Sequence, residues 1–114
     1  MTLMPETLSS RAEGASATYR LRVSADIEHF RGHFPGMPLL PGVVQLDWAV
    51  HFGRQHFPGL DASSGIDNFK CQAIIFPGTE LTLELKREAR GLRFRYVDGE
   101  RVYSTGLILF EGGA

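Results

Sequence analysis

His33 opens the irregular stretch His33-Phe34-Pro35-Gly36-Met37-Pro38-Leu39-Leu40-Pro41-Gly42, and Asp47 follows fourteen residues after it inside an apolar run. An imidazole and a carboxylate are among the side chains most used to take up and deliver protons in catalysis. Three prolines and two glycines between Pro35 and Gly42 exclude regular structure and stiffen the backbone. A histidine heading such a segment has few places to go, and preorganisation is what a general base needs. An imidazole of ordinary basicity is mostly neutral at neutral pH and free to accept a proton. After Gly42 an apolar helix is expected, with Val43, Val44, Leu46, Trp48 and Val50 set around Asp47. The first amides of that helix, those of Gly42 and Val43, have no intrahelical acceptor and lie at the positive end of the helix dipole. A base, two amide donors and an acid are the parts needed to remove a proton beside a carbonyl, hold the oxyanion and expel a hydroxyl.

Each of these residues has a plainer reading. A lone loop histidine is commonly just solvated. An aspartate in a helix is commonly a cap or an ion-pair member, but Asp47 lies too far inside the helix to cap it. Burying its charge among apolar neighbours costs several kcal/mol, on the order of the penalty for an uncompensated polar group. The spacing therefore predicts a buried, functional acid. Pro41-Gly42 is also an ordinary helix start, since proline is favoured there. Gly36, Pro38 and Pro41 shape the loop. His29 and His33 are four apart, but Gly32 and Pro35 argue against a helix that would set them on one metal, and no metal is expected.

The elements that must position these groups follow from periodicity. Met1 to about Ser16 is rich in Ser, Glu, Ala and Gly and reads as irregular. Tyr19, Leu21 and Val23 alternate with polar residues, as in a half-buried strand. About Val43 to His56 is the one convincing helix, ended by Pro58-Gly59 and apolar nearly all round, so burial on most sides is expected. Ile66 to Phe76 reads as a strand broken by Pro77-Gly78. Leu81, Leu83 and Leu85, then Leu92, Phe94 and Tyr96, alternate in the same way, with Gly91 punctuating the turn between them. Asp98-Gly99 is a hairpin signal leading into Arg101 to Phe110. One helix followed by consecutive antiparallel strands predicts an α+β arrangement in which the sheet wraps the helix.

With 114 residues the chain is expected to form a single domain, residues 1–114, with a modest core, and a partner to cover the remaining apolar surface is a reasonable expectation. A hydrophobic content of 43%, a charged content of 22% and a net charge of −1 are those of an ordinary globular protein and make no case for nucleic acid. The later part is locally basic (Lys86, Arg87, Arg90, Arg93, Arg95, Arg101), which reads mainly as solvated strand faces, with a minority available to an acidic carrier. Cys71 is the only cysteine, so no intrachain disulfide exists, and it is expected to pack in a strand. No apolar run approaches a membrane span, and the start lacks the pattern of a signal peptide, so a cytoplasmic location is expected.

His-Phe-Pro-Gly-x-Pro-x-x-Pro-Gly with an acid fourteen residues after the histidine resembles the 3-hydroxyacyl-[acyl-carrier-protein] dehydratases, which have the hot-dog fold. The likeness runs from about Ala17 to Phe110 and includes the lead-in Phe30-Arg31-Gly32-His33 and the later turn Phe76-Pro77-Gly78. Leu39-Leu40-Pro41-Gly42-Val43-Val44-Gln45-Leu46-Asp47-Trp48 is most similar to the small dehydratases of aryl-polyene biosynthesis. The resemblance implies dehydration of a (3R)-3-hydroxyacyl thioester to the trans-2-enoyl thioester, in fatty-acid or aryl-polyene biosynthesis. It also implies that His33 takes the Cα proton and that Asp47 serves the leaving hydroxyl, directly or through water. The Gly42 amide, and with it Val43, would meet the thioester oxygen. No cofactor is needed, because the thioester itself acidifies Cα. The partner is an acyl carrier protein bearing the substrate. The histidine and acid of one site come from two subunits, so a homodimer, or a heterodimer with another hot-dog subunit, is implied. His51 stands where that family commonly has Gln.

Two other functions are weighed against this one. A hot-dog thioesterase would use Asp47 to activate water but leaves the histidine loop unexplained. A non-catalytic subunit that binds an acyl carrier protein has no need of both His33 and Asp47.

Overall fold

The computed structural model describes residues 4–25 and 39–110. They form β1 (Glu6–Glu13), β2 (Ser16–Arg22), α1 (Gly42–His56), β3 (Ser63–Cys71), β4 (Glu80–Glu88), β5 (Gly91–Asp98) and β6 (Arg101–Phe110). The strands make one antiparallel sheet in the order β1-β2-β4-β5-β6-β3.

Period-two alternation sets the inner face of that sheet. Ala17, Tyr19 and Leu21 oppose Leu85, Leu83 and Leu81, and Leu85 and Leu83 in turn oppose Phe94 and Tyr96. All eight are buried. α1 lies across this face against β4 and β5 and buries Val44, Trp48, Ala49 and Phe52 there. The Tyr19 hydroxyl donates to the Phe52 carbonyl at 3.2 Å, and the two rings stand 4.6 Å apart. Each large apolar side chain so enclosed contributes ~1.5–3 kcal/mol. On the outer face Arg95 pairs with Glu84 at 3.0 Å and Arg93 with Glu88 at 2.6 Å, while Arg90 reaches Asp67 at 3.2 Å. Much of the locally basic stretch is thus engaged in exposed pairs.

Four expectations are corrected. Met1 to Ser16 does not read through as irregular, because Glu6–Glu13 is a strand joined to β2 by a tight turn at Gly14 (φ 58°) and Ala15. Both faces of β1 are exposed, so its sequence carries no apolar alternation and only its backbone ladder defines it. The strand expected from Ile66 to Phe76 is Ser63–Cys71. Past Cys71 the amides of Gln72 and Ala73 both turn to the Tyr103 carbonyl, and the ladder stops. Gly91 is not part of the turn. Ala89 and Arg90 form it, and Gly91 is the first residue of β5, pressed against the Ile108 carbonyl. Cys71 does stand in a strand, as the last residue of β3, but its side chain is exposed and not packed.

β3 has a bulge. Asp67 opposes Leu107 and Lys70 opposes Thr105, so Asn68 and Phe69 together face Gly106. Asn68 takes φ 54°, a conformation asparagine tolerates better than most residues. The bulge brings the Phe69 ring beneath the start of α1.

Candidate active site

The start of α1 is built for open amides. Pro41 is its N-cap, at φ −61° and ψ 149°, and offers no side-chain cap; no acid stands in the first turn. The Pro41 carbonyl accepts from the Val44 and Gln45 amides at 3.1 and 3.2 Å. Gly42 and Val43, the two candidate oxyanion donors, come before them, and their amides have no acceptor among the described residues. Close packing favours glycine at position 42. A Cβ at this position would stand 3.0 Å from the Phe69 ring, inside ordinary contact distance. Phe69, delivered by the β3 bulge, is therefore the floor under the helix start.

Asp47 lies one turn after Val43 on the same face of α1, followed by His51 and Arg54 at helical spacing. This face points away from the sheet. Asp47 is exposed in the single chain, which corrects the expectation that its apolar neighbours in sequence would bury it. Leu46 and Trp48 flank it by about 100° on either side of the helix axis, so they cover other faces. The helix as a whole is two-sided. Val44, Gln45, Trp48, Ala49, Phe52 and Gly53 are buried, whereas Val43 (65% exposed), Asp47, His51, Arg54, Gln55 and His56 are open.

Asp47, His51 and Arg54 share an open groove of about 530 Å³ with Met4, Trp48 and Ser63. Asp47 makes no hydrogen bond or ion pair among the described residues. Arg54 does not fold back to it: Nε donates to the Leu60 carbonyl at 2.7 Å and Nη2 to that of Asp61, closing the C-terminal turn of the helix. His51 contacts Gln55 at 3.1 Å and stands edge-on to Phe52. On the inner side of the helix, burial pushes the Tyr96 phenol well above the ordinary tyrosine range, and the Asp47 carboxylate adds to that shift.

Gln45 is a polar residue that the sequence reading missed. It is 3% exposed, and all its polar groups are engaged: Nε2 donates to the Leu40 carbonyl at 3.1 Å, and Oε1 accepts from Ser104 Oγ at 2.6 Å. The available signal was its place on the buried stripe with Trp48, Ala49 and Phe52, where an uncharged polar side chain needs internal partners.

His33 lies outside the described residues, as do His29, Gly36 and Pro38. Among the described residues no group of three or more His, Cys, Asp or Glu converges as a metal set, and no helix is long and apolar enough to cross a membrane.

A family model described as ApeI-like, ApeI dehydratase, matches residues 9–107. The chain is 32% identical over 99 residues to 3-hydroxyacyl-[acyl-carrier-protein] dehydratase FabZ of Chloroflexus aggregans, covering 79% of this chain and 69% of that protein. It is 30% identical to FabZ of Bacillus subtilis, covering 96% of this chain and 87% of the relative. Among solved structures it is similar to the dehydratase heterocomplex ApeI:P from Xenorhabdus doucetiae, with a TM-score of 0.86, 33% identity, and coverage of 94% of this chain and 97% of that one. A protein from Erwinia carotovora subsp. atroseptica gives a TM-score of 0.79 at 33% identity, over 94% of this chain and 95% of that one.

Proposed function

The chain belongs to the ApeI-like dehydratase family, and we propose that it dehydrates a (3R)-3-hydroxyacyl group on an acyl carrier protein to the trans-2-enoyl group with His33 and Asp47 as its acid–base pair. Its six-stranded antiparallel sheet wrapped on one helix is the hot-dog fold. His33 takes the Cα proton, and the electron pair moves into the thioester. The amides of Gly42 and Val43 meet the oxygen that becomes negative, a type of donor whose loss costs ~3–4 kcal/mol in other enzymes. The enolate then re-forms the carbonyl, the Cα–Cβ double bond forms and the Cβ–O bond breaks. Asp47 enters this step as the neutral carboxylic acid and gives its proton to the departing hydroxyl, directly or through a water it holds, so that water leaves. The proton left on His33 then returns through solvent to Asp47 and restores the pair.

The observation that carries this reading is the open face of α1, where a carboxylate stands one turn from two amides, all three without a partner among the described residues. Proton transfer there benefits from exclusion of bulk water, and the single chain does not provide it. The chain also exposes apolar side chains at Val43, Ile66 (46%), Ile74 and Phe76 (49%). β3, which carries Ile66, is an edge strand that among the described residues pairs only with β6. An unpaired edge beside an apolar surface invites a second sheet. We therefore assign a dimer built along β3, two copies of this chain, in which Asp47 of one copy works with His33 of the other.

The test uses purified His33→Ala and Asp47→Asn with 3-hydroxyacyl thioesters, following enoyl absorbance. Each variant is expected to fold and to lose at least ~100-fold in turnover. Refolding the two inactive variants together is expected to recover part of the activity through mixed dimers. Rates near wild type in either variant refute the assignment, and release of free thiol without enoyl product identifies a thioesterase. A fully active monomer in sedimentation refutes the shared site. Activity that appears only with a second, different chain replaces the homodimer with a heterodimer.

A further inference from the structure

We propose that Gln45 is a positioning residue for this reaction: it clamps the Leu40 carbonyl and so fixes the direction of the Gly42 amide. The proposal rests on the dehydratase reading above. It begins from an oddity of placement. Gln45 sits on the buried stripe of α1, where leucine or methionine would fill the same space without desolvating an amide. What an apolar side chain cannot do is hold a carbonyl.

The geometry shows which carbonyl is held. That of Leu40 can only accept, so it takes the Nε2 donor at 3.1 Å and leaves Oε1 to receive the Ser104 hydroxyl at 2.6 Å. The orientation of the amide is set by these partners. The Tyr96 hydroxyl meanwhile donates to the main-chain carbonyl of Gln45 at 2.6 Å. Tyr96 and Ser104 face each other across β5 and β6, so one matched pair on the sheet grips both the backbone and the side chain of Gln45.

Leu40 is held from its other side as well, because its N–H donates to the Ile75 carbonyl at 2.9 Å. Only Pro41 separates it from Gly42. The peptide planes are rigid and the proline ring fixes φ, leaving ψ of Pro41 as the one soft angle between them. That angle is held by the Pro41 carbonyl, which accepts the Val44 and Gln45 amides. The peptide plane that carries the Gly42 N–H therefore has no free rotation while the Leu40 clamp is closed. Release of the clamp leaves a buried carbonyl unpaired and frees the segment to shift.

Gln45→Met removes the donor while keeping approximate volume, and Ser104→Ala removes the hydroxyl that orients the amide. In Gln45→Met, kcat is expected to fall at least ~10-fold with KM within twofold, since a misplacement on the scale of 1 Å costs up to ~100-fold. Ser104→Ala is expected to lower kcat about threefold, and the double variant to be no worse than Gln45→Met, as coupled groups behave. In ¹⁵N-labelled protein the Gly42 amide resonance is expected to shift and its hydrogen exchange to quicken in both variants. A Gln45→Met enzyme with unchanged kcat and an unmoved Gly42 resonance overturns the proposal. If Gln45→Met does not fold, Ser104→Ala decides by the same two readouts. A wild-type chain that fails to dehydrate sinks the functional reading, whereas the Gly42 resonance still judges the clamp.

Discussion

Replacing Tyr96 by Phe isolates one hydrogen bond in the core beneath the site. The Tyr96 ring is fully buried, and its hydroxyl donates to the Gln45 carbonyl at 2.6 Å. That carbonyl lies within α1 and keeps its helical donor, the Ala49 amide, when the hydroxyl is removed. The loss is then that of one neutral hydrogen bond, ~1 kcal/mol, and not the larger penalty for an orphaned acceptor. In a chain of this size it lowers Tm by about 4 °C. The pH dependence carries the sharper test. Burial, reinforced by the Asp47 carboxylate, raises the Tyr96 phenol well above its ordinary value of 10.0 in the folded state. A raised folded-state value means that the unfolded chain deprotonates first. The Tyr96 contribution is therefore complete below about pH 10 and is lost progressively as the pH rises toward the folded-state value. Phenylalanine has no such loss. Urea unfolding of both proteins at pH 7, 9, 10 and 11, at equal protomer concentration, should show wild type ahead by ~1 kcal/mol at neutral pH. The difference should shrink steadily above pH 10. Other tyrosines and lysines cancel between the two proteins. A stability difference that stays constant to pH 11 refutes the reasoning.

Gly91→Ala should destabilise by at least ~3 kcal/mol or abolish soluble expression, because a Cβ there would sit 1.9 Å from the Ile108 carbonyl oxygen where the β5–β6 ladder begins. A Tm within 2 °C of wild type (a few tenths of a kcal/mol, about the noise between surface variants) contradicts that packing. Gly42→Ala meets only the edge of the Phe69 ring, at 3.0 Å, so it should cost ~1–2 kcal/mol, and pairing it with Phe69→Leu should recover most of the loss in a thermal melt. Glu88→Gln should cost less than ~0.5 kcal/mol at neutral pH, since its pair with Arg93 is exposed. The Arg93 hydrogen bond holds the Glu88 carboxyl below its ordinary range, so the pair's small contribution is present above about pH 4.5 and fades as the pH falls; unfolding curves of the variant should converge on wild type in acid.

The sheet was legible wherever one face is dry. Tyr19, Leu21 and Val23, then Leu81, Leu83 and Leu85, then Leu92, Phe94 and Tyr96 announce their strands because every second side chain is buried. β1 was not legible, because both its faces are wet and nothing but backbone pairing selects its conformation. The end of β3 was missed for a related reason. Ile74, Ile75 and Phe76 continue the apolar run past Cys71, but Ile74 and Phe76 are exposed, so the run reports a surface that awaits a partner and not the length of a strand. The helix was placed to within one residue, yet its faces were misjudged. Apolar residues next to Asp47 in sequence are not its surroundings, because the residues around a helical side chain are those three and four positions away. Those are Val43, Val44, Val50 and His51, a mixed and largely open set. His33 and its loop fall outside the described residues, so their part in the site rests on the motif.

The two polar residues near the start of α1 divide its work. Gln45 and Asp47 are two positions apart and so point about 200° from each other around the helix. The inward one is satisfied by three elements of the fold, at Leu40, Ser104 and, through its own carbonyl, Tyr96. The outward one makes no hydrogen bond or ion pair among the described residues. A carboxylate on a well-anchored helix, without a partner among the described residues and beside amides in the same condition, has hydrogen-bonding capacity to offer a substrate. The same fixed helix holds Asp47 at one turn from the Gly42 and Val43 amides. A flexible loop could supply the same groups, but not at a constant separation, and a reaction that removes one proton and expels one hydroxyl needs both ends of a short substrate segment met at once. The inner face of α1 thus determines where chemistry can occur on the outer one, and a core substitution that rotates the helix should change turnover without touching a single group that meets the substrate.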